Sequence, residues 1–288
     1  IGIYEIMTIL ECKRYFKESL SDLYTESESA LMYSYFVEKL VGFNSFHQRR
    51  FAHQDLLTEH QETLENIIQE LKTGKPYQHI LGETEFYGLP IFVNEHVLIP
   101  RPETEELLEL AMKIIRENGH SNTALKILDI GTGSGVIPIV LKKYFPNTEI
   151  TTIDISEEAQ EIAKKKAKNI GVELAFLTKD YLSLDFKENF DIIISNPPYI
   201  GQNEYVEIKD GVKQFEPNIA LFSPVDDALI FYRKISIDAQ KHLNPNGWVF
   251  LEINQKLGPE TLALYQDFSY AELIKDLSQN DRFVIAKK

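Results

Sequence analysis

The sequence predicts an α/β fold in which a doubly wound, mostly parallel β-sheet follows a small helical domain. From Lys126 onward, short runs that are typical of buried strands alternate with helical segments. From Thr8 to Thr73, apolar residues recur at helical spacing, and no strand-like run interrupts them. Between these regions, two extended arms surround Gly88 and Pro90, which favours a β-hairpin. These patterns together indicate helices first, then a hairpin, then the sheet.

The same patterns predict three segments along the chain. A helical bundle should occupy residues 1–74, because the apolar stripe from Leu64 to Leu71 ends at Gly74 and Pro76. A linker that carries the β-hairpin should occupy residues 75–100, and the sheet domain residues 101–288. We expect the bundle to recognise a partner protein, and the sheet domain to hold the chemistry.

Strand and helix signals follow one another through the sheet domain. The helix that starts after Pro102 has Glu103 and Glu105 in its first turn, where the helix dipole favours carboxylates. In a doubly wound sheet, ligands bind at the carboxyl ends of the strands, close to the point where the strand order reverses. The predicted strands are Ile127–Ile130, Ile150–Ile153, Leu174–Leu177, Asp191–Ser195, Trp248–Ile253 and Arg282–Ala286, with helices over Val136–Tyr144 and Glu157–Ile170.

Composition narrows the class of partner. The net charge of -14 lowers the expectation of a nucleic-acid substrate, because proteins that bind phosphate backbones usually present a basic face. The lysines at 164–166 and 168 lie on a predicted helix, and we interpret them as a solvated face. A single cysteine, Cys12, and the absence of zinc-like Cys/His spacing favour a cytoplasmic protein without a bound metal. No apolar run is long enough to predict a membrane span.

A glycine-rich loop follows the first predicted strand. It reads Asp129-Ile130-Gly131-Thr132-Gly133-Ser134-Gly135, and its glycines allow the backbone to turn tightly and approach a ligand. The second strand ends at Asp154, where a carboxylate can accept hydrogen bonds from both hydroxyls of a ribose. This pairing predicts a cofactor that contains adenosine. The Gly-x-Gly-x-Gly spacing and the acid before the first glycine favour S-adenosyl-L-methionine over NAD.

Two further strand ends carry candidate site residues. Asp180 and Tyr181 follow the third strand, where they could line an adenine pocket. Asn196-Pro197-Pro198-Tyr199 follows the fourth strand and is the most specific signal in the chain. Consecutive prolines remove two backbone donors and leave carbonyl acceptors, Asn196 adds an acceptor, and Tyr199 adds an aromatic face. This combination predicts a site that binds a planar NH₂ group of an amide or amine and positions its nitrogen for reaction.

With these motifs the chain resembles the release factor glutamine methyltransferases, a family of class I methyltransferases with an Asn-Pro-Pro-Tyr motif. The resemblance covers roughly residues 74–288, and residues before it are similar to the variable helical domain of that family. Pro100-Arg101-Pro102-Glu103-Thr104-Glu105 separates this family from related enzymes that act on a ribosomal protein. Other matching stretches are residues 74–82, 85–88, 129–135, 195–200, 216–217, 220–221, 232–234, 252–253 and 281–282, together with Pro245 and Gly247.

The resemblance implies a seven-stranded sheet and methyl transfer from S-adenosyl-L-methionine to the glutamine of the Gly-Gly-Gln loop in peptide chain release factors. It assigns cofactor contacts to Asp129, Ile130, Gly131, Thr132, Gly133, Asp154, Tyr181 and Asn196. To these we add Gly135 from the glycine loop and Asp180 from the end of the third strand. It assigns substrate contacts to the catalytic residues Asn196, Pro197, Pro198 and Tyr199, and we add Arg101 and Glu103 from the separating stretch. Release factors are therefore the expected partners.

Alternative functions remain open from the sequence. The same loop chemistry serves methylation of the exocyclic amine of adenine or guanine, and a ribosomal-protein glutamine is a third possible acceptor. An adaptor without activity that binds translation factors through its helices is a further alternative. The chain also departs from the family pattern at residues 223–229 and at Asn254.

Overall fold

A computed structural model describes residues 5–198, 214–224 and 226–288 of the chain. Two compact units are present, Ile1–Gly82 and Glu83–Lys288. In the described part of the chain, no helix combines the length and the apolarity needed to cross a membrane.

Helices build the first unit, as the apolar spacing predicts. They are α1 (Ile9–Ser19), α2 (Glu26–Val41), α3 (Ser45–Arg50), α4 (Thr58–Lys72) and α5 (Tyr77–Leu81). Helices α1 and α2 each begin with a capping box. The Thr8 hydroxyl accepts a hydrogen bond from the Glu11 amide in α1, and the Thr25 hydroxyl accepts one from the Glu28 amide in α2. The aromatic rings of Phe16, Tyr33 and Phe36 pack together in the core, so the unit has a hydrophobic centre of its own.

The second unit opens with the predicted β-hairpin. Strands β1 (Glu83–Phe86) and β2 (Leu89–Phe92) pair antiparallel. The two residues of the turn, Tyr87 and Gly88, both have positive φ, at 51° and 72°. A two-residue turn of this kind matches the right-handed twist of the strands that it joins. The side chains of Phe86 and Ile91 are buried in the hydrophobic core of the second unit and anchor the hairpin there.

Within the described residues, seven strands form one sheet with the order β5-β4-β3-β6-β7-β9-β8. Pairing is parallel except on the two sides of β9. The chain enters at β3 in the centre, builds outward through β4 and β5, and returns to β6 on the other side of β3. The order therefore reverses between β3 and β6. The strands are β3 (Lys126–Ile130), β4 (Glu149–Asp154), β5 (Ala175–Thr178), β6 (Phe190–Ser195), β7 (Leu243–Glu252), β8 (Tyr270–Lys275) and β9 (Asp281–Lys287).

Helices cover both faces of this sheet. Along β6, Ile192 and Ile194 belong to one hydrophobic cluster, whereas Ile193 between them belongs to the other. This alternation follows from the period of two along a strand, and it explains why the central strands are apolar on both sides. Among the residues that the structure describes, the helices of the second unit are α6 (Pro102–Glu117), α7 (Val136–Tyr144), α8 (Glu157–Ile170), α9 (Asn218–Leu221), α10 (Ile230–His242) and α11 (Gly258–Ala263).

Two features of the sheet domain differ from the sequence prediction. Strand β8 and helices α9, α10 and α11 were not predicted, and β7 begins at Leu243 rather than at Trp248. The register between β6 and β7 shifts after the pair Phe190 and Leu243, so that Ile192 faces Trp248. The extra residues include Asn244, Pro245 and Gly247, which in sequence indicate a turn rather than a strand.

The interpretation of the α8 lysines as a solvated face is wrong for Lys166. Its side chain is only 2% exposed. Its Nζ lies 4.4 Å from the centre of the Phe92 ring and 3.2 Å from the Asn169 Oδ1, to which it donates. Burial lowers the pKa of this lysine. The β-hairpin packs on this part of α8, a tertiary contact that the composition of the helix does not reveal.

Candidate active site

A cavity of about 410 Å³ lies at the carboxyl ends of β3, β4, β5 and β6. This is the end of the sheet where the reversal of strand order predicts ligand binding. The volume is within the usual range for a small-molecule site. Eleven of the predicted site residues line it: Arg101, Ile130, Gly131, Thr132, Gly133, Asp154, Asp180, Tyr181, Asn196, Pro197 and Pro198.

The other four predicted site residues are not among the described residues found to line this cavity. Three of them are Asp129, Gly135 and Glu103. Tyr199 lies outside the described residues. The structure therefore brings the glycine loop and the first three residues of Asn-Pro-Pro-Tyr to one cavity.

The glycine loop is tied to the neighbouring strand by its backbone. The amides of Gly131 and Thr132 both donate to the Ile153 carbonyl, at 2.8 and 3.0 Å. At Gly133, a built Cβ would meet no other heavy atom within 4 Å, and this residue lines the cavity. A side chain there would enter open space that a ligand can otherwise use. Gly135 differs, because its Cβ would lie 2.9 Å from the Ala163 Cβ. Its role is close packing of α7 against α8.

Asp154 ends β4 with both carboxylate oxygens held by backbone amides. Its Oδ2 accepts from Gly133 and its Oδ1 from Ser156, each at 2.9 Å. Burial raises the pKa of this carboxyl, while the backbone hydrogen bonds oppose the change. Each oxygen of a carboxylate has two acceptor sites, so Asp154 keeps capacity for further hydrogen bonds from a ligand. This geometry suits the pair of hydroxyls on a ribose.

Asp129 lies beneath the loop and is fully buried. Its Oδ2 accepts from the Thr152 hydroxyl at 2.6 Å, and the Thr132 hydroxyl lies 2.6 Å from that of Thr152. Since Thr152 gives its proton to Asp129, Thr132 donates to Thr152. The Asp129 Oδ1 has no hydrogen-bond partner among the described residues, and burial raises the pKa of the carboxyl to about 8. Asp129 thus supports the loop through Thr152 and Thr132.

Asp180 and Tyr181 line the cavity on the side of β5. The Asp180 carboxylate accepts from the amide of Leu182 at 3.1 Å and thereby begins the short 3₁₀ turn Tyr181–Ser183. The Tyr181 hydroxyl donates to the Asp238 Oδ2 at 2.5 Å, and burial raises its pKa far above the ordinary value. Lys234 donates to the same oxygen at 2.7 Å. The hydroxyl of Tyr181 is therefore used inside the protein, and its ring is the part that can serve a ligand.

Asn196, Pro197 and Pro198 follow β6 directly and line the cavity. The Asn196 Nδ2 donates to the Thr104 Oγ1 at 3.4 Å. Thr104, in the first turn of α6, donates in turn to the Glu252 Oε1 at the end of β7, at 2.8 Å. Three elements that are distant in sequence thus meet at the asparagine of the motif.

Arg101 lines the cavity but its guanidinium is anchored. It pairs with Glu216 at 2.8 Å and donates to the Ile99 carbonyl at 3.0 Å. Glu216 is buried and also accepts from the Ile99 amide at 3.2 Å. The ion pair therefore fixes the start of α6 to the segment that precedes α9.

Several residues that line the cavity were not predicted. They lie just before α6, after β5, around α9 and in the first turn of α10, and the sequence gives them no motif beyond the family stretches near Glu216 and Ala220. Their positions depend on tertiary folding of segments without regular periodicity. They include His96, Lys179, Asn218, Ile219, Phe222 and Phe231.

Comparison with protein families matches residues 106–212 to the methyltransferase small domain. A release factor glutamine methyltransferase of Flavobacterium psychrophilum is 41% identical, over 96% of this chain and 98% of that protein. A protein of the same name from Streptococcus pneumoniae is 40% identical, over 94% of this chain and 95% of the relative.

Solved structures support the fold. A methyltransferase from Pyrococcus furiosus has a TM-score of 0.51 at 19% identity, over 78% of this chain and 98% of that one. A 16S ribosomal RNA methyltransferase from T. thermophilus, in complex with AdoMet and guanosine, has a TM-score of 0.50 at 19% identity. That match covers 72% of this chain and 49% of the other. At such low identity, the similarity shows the architecture of the sheet and its flanking helices.

Proposed function

Since the chain belongs to the family of release factor glutamine methyltransferases, we propose that it methylates the glutamine of the Gly-Gly-Gln motif in peptide chain release factors. The acceptor atom is the side-chain amide nitrogen, and S-adenosyl-L-methionine is the methyl donor. The observation that carries this proposal is the position of Asn196, Pro197 and Pro198. These residues line the same cavity as the glycine loop and Asp154.

The cavity suits the methyl donor in its shape and in its polar groups. Gly133 leaves open space where any side chain would project, so the backbone of the loop can contact a ligand. Asp154 can accept from ribose hydroxyls while it holds the loop through the Gly133 amide. When bound, S-adenosyl-L-methionine supplies a methyl group that is activated by its sulfonium. The residues of the chain supply orientation and a polar environment.

The substrate amide poses a specific chemical problem. Its nitrogen is a poor nucleophile because the lone pair is delocalised into the carbonyl. We propose that the Asn196 Oδ1 and the Pro197 carbonyl accept hydrogen bonds from the two N–H groups of the amide and hold its nitrogen in one place. Positive charge develops on this nitrogen as the methyl group bonds to it, so both acceptors bind the transition state more strongly than the substrate. Loss of one amide proton to water then leaves a neutral methylated amide. The proposal also gives Tyr199 the role of stacking on the amide plane, for which the sequence motif is the basis.

Protein substrates fit the charge of this chain better than nucleic acids do. With a net charge of -14, the chain has no general attraction for a phosphate backbone. The three residues of a Gly-Gly-Gln loop offer little contact area, so we propose that the helical unit Ile1–Gly82 binds the release factor away from the reacting amide.

Mass spectrometry of a purified release factor, incubated with the protein and S-adenosyl-L-methionine, tests the proposed function. We expect one added methyl group on the glutamine of the Gly-Gly-Gln loop. The matched control is a release factor in which that glutamine is replaced by alanine, which should gain no methyl group. Transfer to RNA, to DNA or to a ribosomal-protein glutamine, without transfer to the release factor, would contradict the proposal.

A further inference from the structure

We propose that Thr104 and Glu252 are positioning residues that fix the orientation of the Asn196 side-chain amide. The inference rests on the proposed function, in which the oxygen of that amide must face the substrate. A side-chain amide has an acceptor end and a donor end of almost equal shape, and a half-turn of the group exchanges them. If the Asn196 Nδ2 faced the substrate NH₂ group, two donors would oppose each other.

Glu252 determines which groups donate in the hydrogen bonds that link Glu252, Thr104 and Asn196. Its side chain ends β7 and is 1% exposed. A carboxylate can only accept hydrogen bonds. The Thr104 hydroxyl lies 2.8 Å from the Glu252 Oε1, so the single hydroxyl proton of Thr104 points toward Glu252. Thr104 is itself 2% exposed, which leaves water little access to compete for this proton.

The direction of the Thr104 hydroxyl proton fixes the orientation of the Asn196 amide. Because the hydroxyl proton of Thr104 is already used, the Thr104 Oγ1 can only accept from other groups. The partner at 3.4 Å must then be the donor end of the Asn196 amide, its Nδ2. The opposite end, the Oδ1, is thereby left as the part of the amide that can accept from a ligand. The flipped amide would place the Asn196 Oδ1 against the Thr104 Oγ1, two acceptors with no proton between them, and this orientation is therefore disfavoured.

Local structure explains how Thr104 reaches this place. Pro102 occupies the first position of α6, where its fixed φ and missing amide proton suit the start of a helix. Thr104 therefore lies in the first turn, and its amide donates to the Arg101 carbonyl at 3.0 Å. The ion pair between Arg101 and Glu216 also restrains the start of this helix, because Arg101 directly precedes α6. The Pro-Arg-Pro-Glu-Thr stretch thus acts on the site through Thr104.

Thr104→Val and Thr104→Ser test the proposal. Valine has the shape of threonine but no hydroxyl, so we expect kcat on the release factor to fall about tenfold or more, as for loss of preorganisation of one polar group. Binding of S-adenosyl-L-methionine, measured by calorimetry, should stay within about twofold. Serine keeps the hydroxyl and should restore most of kcat. Thr261→Val is the matched control, because Thr261 is also buried and donates to the Leu257 carbonyl at 2.6 Å, outside the cavity.

A double variant separates positioning from a general loss of structure. If Thr104 acts only through Asn196, Thr104→Val should cause no further loss of kcat in an Asn196→Ala background. The proposal would be overturned if the double variant lost kcat by the product of the two single losses. It would also be overturned if the wild type methylated the release factor and Thr104→Val had the same kcat. A wild type that does not methylate the release factor would instead overturn the proposed function, and the positioning role with it.

Discussion

The side-chain oxygen of Asn196 can accept hydrogen bonds without taking up a proton at neutral pH, which would suit a substrate amide that keeps both of its protons until the methyl group is transferred. Asn196→Ala removes this acceptor and leaves the backbone of the loop. We expect kcat to fall about a hundredfold, comparable to the loss of one preorganised polar group in an active site. Calorimetric binding of S-adenosyl-L-methionine should change much less. Turnover close to that of the wild type would contradict the assignment.

Asp129 predicts a pH dependence of stability. Burial raises the pKa of its carboxyl to about 8 from an ordinary value of 3.8. Between these values the folded state binds more protons than the unfolded state, so the contribution of Asp129 is present at low pH and lost as pH rises toward 8. The side-chain amide of an Asp129→Asn variant does not titrate. Chemical unfolding of this variant and the wild type should show the wild type losing stability relative to the variant, by a few kcal/mol, between about pH 5 and about pH 8.

This comparison is made without S-adenosyl-L-methionine, so that ligand binding does not alter the unfolding equilibrium. Titration of groups that do not interact with Asp129 is common to the two proteins and cancels in the difference. An unchanged difference in unfolding free energy across the pH range would show that Asp129 is ionised in the folded state throughout.

Residue patterns reveal some of the site and hide the rest. The glycines, Asp154 and Asn196 follow strand ends directly, so their convergence at one edge of the sheet could be predicted from the sequence. Thr104 and Glu252 could not be connected to Asn196, because they are separated from each other by 148 positions and meet only after α6 packs on the sheet. Hydrogen-bond direction likewise depends on tertiary contacts, which no local spacing encodes.

At the scale of elements, burial on both faces makes the central strands predictable and leaves the edges less so. Strands β3 and β6 are largely apolar because each face meets a helix layer, and β4 places Ile150 in one hydrophobic cluster and Ile153 in the other. Strand β8 lies at the edge of the sheet and is largely exposed or half-buried, so Tyr270–Lys275 has no comparable apolar run. The first part of β7 is not recognisable as a strand in the sequence, because its Asn, Pro and Gly residues are typical of a turn.

The junction of the glycine loop with α7 predicts a difference between two glycines. Gly135 and Gly171 have nearly the same positive φ, 86° and 87°. A Cβ at Gly135 would lie 2.9 Å from the Ala163 Cβ, whereas one at Gly171 would meet nothing within 4 Å. Gly171→Ala should cost only the backbone strain, about 1 kcal/mol. Gly135→Ala should cost that strain and an overpacked contact, about 3 kcal/mol in all.

Denaturant unfolding of the two alanine variants measures this difference, and Gly171→Ala serves as the matched control for backbone strain. Equal losses of unfolding free energy would mean that α7 and α8 separate easily at Gly135. The glycine would then be required by its conformation alone.

For the whole molecule, the sequence predicts the order of helical bundle, hairpin and sheet because each has a different hydrophobic period. The helical period ends at Gly74, and the strand period begins in the hairpin. The compact units divide between Gly82 and Glu83, since the short helix α5 packs with the first unit through Leu81. A five-residue helix after Pro76 gives too few turns for its apolar face to be recognised in the sequence.

Removal of the helical unit is a test at this scale. The sheet unit has two hydrophobic clusters formed by its own residues, so a protein that begins at Glu83 should fold. Binding energy from contacts remote from the reacting amide can be used to hold that amide in place. We therefore expect kcat/KM on an intact release factor to fall about tenfold or more, while calorimetric binding of S-adenosyl-L-methionine stays within a few-fold. A short Gly-Gly-Gln peptide is the matched control, because it offers no remote contact, and kcat/KM on it should be equal for the full chain and the sheet unit. Unchanged kcat/KM on the intact release factor would place recognition entirely in the sheet unit.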